Sequence, residues 1–144
     1  MARIWMAEMV LTGLVASAVA FAGDAKVPDK YRWNLGDLYP TLQAFNQARQ
    51  QLAGRLPEID AYRGKLGSSA ATMKVALDTY FGMAKDLGRI NSYASMWSDE
   101  DTRVPEALGT RQEVMQFGAQ FASRTSWIAP EILALPPGAV SRAK

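Results

Sequence analysis

The sequence predicts an all-α protein: three to four antiparallel helices in a bundle, preceded by an extended arm and an N-terminal export signal. Three observations carry that class. Within each segment from Leu42 to Ala122, apolar residues recur at spacings of three, four and seven, the repeat of one helix face. Pro57, Pro105 and Pro130, with hydroxyl residues at the starts, cut the pattern into helix-length pieces. Strand-like alternation is confined to Tyr31–Leu35 and Met115–Phe121, and the second run holds no β-branched residue, so it reads as helix.

Residues 1–22 read as a signal peptide. Arg3 supplies an early cation, Met9–Phe21 is an uncharged, largely apolar run of 13 residues, and Ala20-Phe21-Ala22 has the small-x-small form of a cleavage site. The run is short for a membrane span, which needs about 20 apolar residues, so no stable span is expected. Ala16-Ser17-Ala18 is a competing cleavage point, and an uncleaved anchor is the other reading. Cleavage after Ala22 would place the chain outside the cytoplasm, periplasmic or secreted.

Residues 23–40 carry turn formers with Pro28 and Pro40 and read as an extended arm, with Tyr31–Leu35 as a short extended piece. Trp33, Leu35, Leu38 and Tyr39 are large apolar groups in it and are expected to pack on the helices. The helical domain spans residues 41–136. Thr41 is placed to cap a first helix whose face is Leu42, Phe45, Leu52, Leu56, Ile59 and Tyr62, kinked or broken at Pro57 and ended by Gly64 and Gly67. Ser68 or Ser69 caps a second helix running to about Asp99. Its stripe is Met73, Leu77, Tyr80, Ala84, Leu87, Asn91, Ala94 and Ser98, flanked by Ala76, Phe81, Ile90 and Trp97, with Gly88 as a weak point. Pro105 and Glu106 suit the start of a third helix, whose stripe is Leu108, Met115, Ala119, Ala122 and Trp127. Residues 137–144 read as a truncated tail.

Composition removes most chemistry. Lys plus Arg is 16 against 14 for Asp plus Glu, a net charge of +2, too balanced for a nucleic-acid surface. With 0 histidines and 0 cysteines, the chain has no triad base, no thiol nucleophile, no disulfide and none of the zinc-selective ligands. Asp99, Glu100 and Asp101 lack the turn glycine and distal glutamate of a calcium loop and read as an acidic connector. Glu58 and Asp60 are two apart and point to different faces. Ser141-Arg142-Ala143-Lys144 matches S-x-x-K only within the tail. Trp33, Tyr39, Tyr93, Trp97 and Trp127 fit interhelical packing, with a ligand groove as the alternative. No catalytic, cofactor-binding or metal-ligating residue is assigned.

Four short motifs carry a resemblance. Trp33-Asn34-Leu35-Gly36-Asp37-Leu38-Tyr39-Pro40 resembles the W-[DN]-L-x-D-L-[YF]-P opening of the oligoendopeptidase F family of zinc metallopeptidases. Tyr62-Arg63-Gly64-Lys65-Leu66 resembles its YRGKL, Tyr93-Ala94 with Asp99-Glu100-Asp101-Thr102 its YA…DEDT, and Pro130-Glu131-Ile132-Leu133 its PEIL. They span residues 31–136 in the family's order. The family usually has a small polar or acidic residue before the proline of the next helix; Val104 stands there, so that helix should lack its cap.

The resemblance is to the family's N-terminal helical domain. It implies family-like structural positions at Trp33, Leu35, Asp37, Leu38, Tyr39, Pro40, Tyr93 and Asp101. It also implies a role in walling the channel to a zinc site that a later domain would supply, through H-E-x-x-H, for short peptide substrates. On this reading the chain is the non-catalytic leading part of an exported endopeptidase, with zinc in the missing catalytic domain. Val114, Phe117 and Phe121 on the third helix would then form an uncovered second apolar face. The alternative is a free-standing exported helical module that binds a peptide or protein partner.

Overall fold

A computed structural model describes residues 32–136 and residue 138. The signal peptide, residues 23–31 of the arm and most of the tail lie outside the described residues.

The described residues contain helices and no strand. The helices are α1 (Leu42–Arg55), α2 (Ala70–Glu100), α3 (Pro105–Thr125) and α4 (Ile128–Leu133), with a 3-10 turn at Leu35–Asp37 and a 3-10 segment at Leu56–Tyr62. Local chemistry sets most boundaries. The Thr41 side chain accepts from the Ala44 N–H at 3.0 Å, capping α1. Pro57 lacks a donor and crowds the carbonyl four residues back, so the α-helix ends at Arg55 and the chain tightens into the 3-10 segment. Gly64 then turns the backbone at φ 76°, in the left-handed region. Of the two serines, Ser69 caps α2, accepting from the Thr72 N–H at 3.0 Å. α2 runs 31 residues, unbroken through Gly88. Val104 gives α3 no side-chain cap.

The chain reverses direction from α1 to α2 and again from α2 to α3. Phe45 meets Tyr93 and Arg55 meets Asp86, so α1 and α2 run antiparallel. Tyr80 stacks on Phe121 while Arg111 reaches Ser98, so α2 and α3 do too. α2 packs against α1, α3, the 3-10 segment and the arm turn. The main core gathers Phe45, Leu52, Met83, Ile90, Tyr93, Val114 and Phe121. A second cluster of Ile59, Leu66, Ala76 and Ile128 lies beside it, with Tyr62, Trp127 and Ile132 against it.

Several inward faces differ from the periodicity. On α3 the buried residues are Ala107, Val114, Phe121 and Thr125, so the face of Val114, Phe117 and Phe121 is covered. The stripe of Leu108, Met115, Ala119 and Ala122 is the exposed one. Both faces are apolar, and α2 selects between them: the Tyr80 ring offers Phe121 a stacking partner 5.7 Å away at 16°. On α2 the inner line is Ala76, Met83, Ile90 and Ala94, while Phe81 and Asn91 are exposed. α1 and α3 sit on opposite flanks of that line, which places Met83 at its centre. Leu42 lies at the exposed margin of α1.

The described part of the arm is partly docked. Leu35, Leu38 and Tyr39 pack on the main core, but Trp33 is 57% exposed. The chain coils into the turn Leu35–Asp37, with Asn34 Nδ2 donating to Asp37 Oδ1 at 2.8 Å. That turn directs the residues after it onto the core and leaves Trp33 ahead of it.

Charge at the α2 end is paired. The Asp101 carboxylate accepts from the Arg103 N–H and Nε at 2.9 Å. Arg103 holds the carboxyl down to about 2, from an ordinary 3.8, chiefly through the side-chain hydrogen bond. The Arg124 guanidinium likewise lowers Asp60, first through its hydrogen bond. Such exposed pairs orient loops more than they stabilise them.

Phe45, fully buried, should lose about 3–5 kcal/mol of stability on Phe45→Ala. Trp33→Ala should change stability by about 0.5 kcal/mol or less, as an exposed substitution does. Urea unfolding of both variants checks this, and equal losses would place Trp33 in the core. The depressed Asp101 contributes stability above its unfolded value of 3.8 that is lost as pH falls toward about 2. Its carboxyl resonance should titrate near 2 by NMR, and at a higher pH in Arg103→Gln, which removes the side-chain hydrogen bond and keeps the backbone one.

Candidate functional site: an apolar groove

Between α2 and α3 lies a groove of about 410 Å³, lined by Ala84, Leu87, Gly88 and Asn91 from α2 and by Val114, Met115, Gly118 and Phe121 from α3. Its origin is steric. Gly88 and Gly118 present no side chain to fill the seam, and a Cβ built on either meets nothing within 4 Å. The α2 and α3 backbones therefore form a trough floored by Val114 and Phe121, both buried.

The walls continue as an apolar strip. Phe81 lies three and seven residues before Ala84 and Gly88, on the same face of α2. Leu108 lies seven before Met115 on α3. Phe81 is 62% and Met115 63% exposed, and Leu108 is also exposed. Asn91 is the single polar side chain lining the groove. With no acid, base or nucleophile in its lining, the groove can bury an apolar side chain or a helix face, and it cannot by itself break a bond.

Residues of the four motifs meet elsewhere, in two joints. In the first, the Tyr39 ring meets Phe45 edge-on at 5.7 Å and Tyr93 at 5.6 Å, and Phe45 stacks on Tyr93 at 4.6 Å. The Arg89 guanidinium lies over the other side of Tyr39, 4.9 Å from its centroid, and donates to the Leu38 carbonyl. Burial pushes both tyrosine hydroxyls up from their ordinary value, with Arg89 opposing it at Tyr39. In the second joint, Glu131 at the start of α4 holds the loop after the 3-10 segment. Its two carboxylate oxygens accept the Gly64 and Leu66 N–H groups, each at 2.8 Å. Leu66 is thereby set into the second core cluster, fully buried. Asp37 holds the arm turn, Pro40 precedes the Thr41 cap and Asp101 closes α2. Among the family-like positions only Trp33 is largely exposed without a structural task.

The sequence pattern does not single out Glu131 as a site, and of the groove it marks only Val114 and Phe121 as uncovered, as part of a second apolar face on the third helix. Glu131 appeared only inside a motif, because its loop partners lie 65 and 67 residues away. The groove had a signal in Leu108 and Met115, seven apart, but the same spacing describes a core face. Among the described residues, no group of three or more Asp or Glu side chains is placed to hold a metal ion. Without histidine or cysteine, the residues present do not fit a zinc centre. Asp99 and Asp101 are each engaged by an arginine instead. Among the described residues no helix is long and apolar enough to cross a membrane.

Comparison with known proteins gives two relatives of one kind. The chain is 34% identical over 103 residues to oligopeptidase PepF of Bacillus subtilis (strain 168), a match covering 72% of this chain and 15% of that protein. It is 23% identical over 109 residues to group B oligopeptidase PepB of Streptococcus agalactiae serotype III (strain NEM316), covering 76% of this chain and 18% of that protein. The chain thus carries an oligoendopeptidase-related region and spans less than a fifth of either relative. No family model and no solved structure matches it.

The Glu131 joint is open to test. Glu131→Gln keeps the shape but replaces a carboxylate that accepts two N–H bonds with an amide carrying one acceptor oxygen. Hydrogen bonds to charged groups contribute about 1.5–3 kcal/mol, so a loss of about 1–3 kcal/mol is expected in urea unfolding. The Gly64 and Leu66 amides should also exchange faster with solvent, while amides of α3 keep their protection.

Proposed function

We propose that this chain serves as a non-catalytic helical domain of an exported oligopeptidase-type metalloendopeptidase, where it helps to wall the channel that admits short peptides. The observation that carries the reading is the 34% identity over 103 residues to a protein named an oligopeptidase. The matched region is about as long as the helical unit whose joints the four motifs build. The absence of histidine throughout the sequence supports a supporting role: hydrolysis of a peptide needs an activated water, and no residue here is equipped to hold zinc for that purpose. In this reading zinc and the water-activating glutamate belong to a separate catalytic part of the enzyme, and the chain's own residues contribute shape.

The α2–α3 groove is the surface through which this domain meets the rest of such an enzyme. The two relatives are more than five times longer than their matched regions, so most of each protein lies beyond the part resembling this chain. A rigid helical wall has to be held against that remainder. The uncharged trough between Gly88 and Gly118, lined by Leu87 and the exposed Met115, suits helix-in-groove packing. Export through residues 1–22 completes the proposal; in an oxidising compartment a domain without any cysteine would rest on packing and not on disulfides.

The chain alone should leave a quenched oligopeptide intact and bind no stoichiometric zinc, while binding a hydrophobic dye. Met115→Lys, which sets a charge on the rim, and Gly118→Leu, which fills the trough, should each reduce dye binding several-fold without unfolding the domain. Cleavage of the peptide by the purified chain would overturn the non-catalytic role. A monodisperse monomer with no dye binding would overturn the docking role and favour a free-standing module. Mass spectrometry of the exported protein should find Gly23 at the N-terminus, and a retained Met1 would refute processing after Ala22.

A further inference from the structure

We draw no further inference here: the strongest candidate, the exposed apolar strip that extends the α2–α3 groove through Phe81, Met115 and Leu108, belongs to the site already described, and nothing in the structure shows what other partner covers it.

Discussion

Phe45 and Tyr93 stack face to face at 4.6 Å, and the arrangement of the domain follows from that contact. The two rings join α1 to α2 near the start of the first and the end of the second, which sets the register; with Arg55 on Asp86 further along, the two helices run antiparallel. Tyr39 lies beside the stacked pair, its plane roughly perpendicular to both rings, so the arm is fixed at the same point. Aromatic pairs of this geometry contribute about 0.5–1.5 kcal/mol beyond their burial. Their larger effect here is positional, since three segments share one joint. Arg89 caps the joint from the solvent side, with its charge over Tyr39 and its N–H on the Leu38 carbonyl.

The opposite end of the bundle is organised by charge and not by rings. Glu131 reaches back from α4 to the loop after Pro57 and satisfies two backbone donors at once. Leu66 is locked beneath it, next to Ile59 and Ala76. Gly67 leaves room for the Leu135 side chain just past α4, since a Cβ there would lie 2.6 Å from a Leu135 methyl. The long α2 spans both ends, aromatic at Tyr93 and aliphatic at Ala76. With no disulfide to close loops, packing along α2 together with these two joints holds the unit.

The four family-like motifs therefore encode a scaffold. Tyr39, Tyr93, Leu66, Glu131 and Asp101 each hold an element in place, and none faces the groove. The groove residues belong to a different stretch of surface, where two helical glycines open a seam and methionine and phenylalanine rim it. Likeness in the motifs thus bears on how the chain folds. The surface that would make the fold useful within a larger enzyme is built from residues outside the motifs.

By itself the sequence determined the local features. Thr41 and Ser69 accept from N–H groups three residues on, Pro57 ends a helix, and Val104 leaves one uncapped, all through chemistry within a turn or two of chain. The helical class and the length of α2 follow from the same short-range periodicity. Which face turns inward was decided only by the tertiary structure. α3 has two apolar faces, and Tyr80 of α2 chose Val114 and Phe121 over Leu108 and Met115. Trp33 reads as core by size, but the turn at Leu35–Asp37 leaves it outside. The groove and the Glu131 joint needed α2, α3, α4 and the loop set side by side. Burial depends on what a neighbouring helix presents, and residues tens of positions apart meet only once the chain has packed.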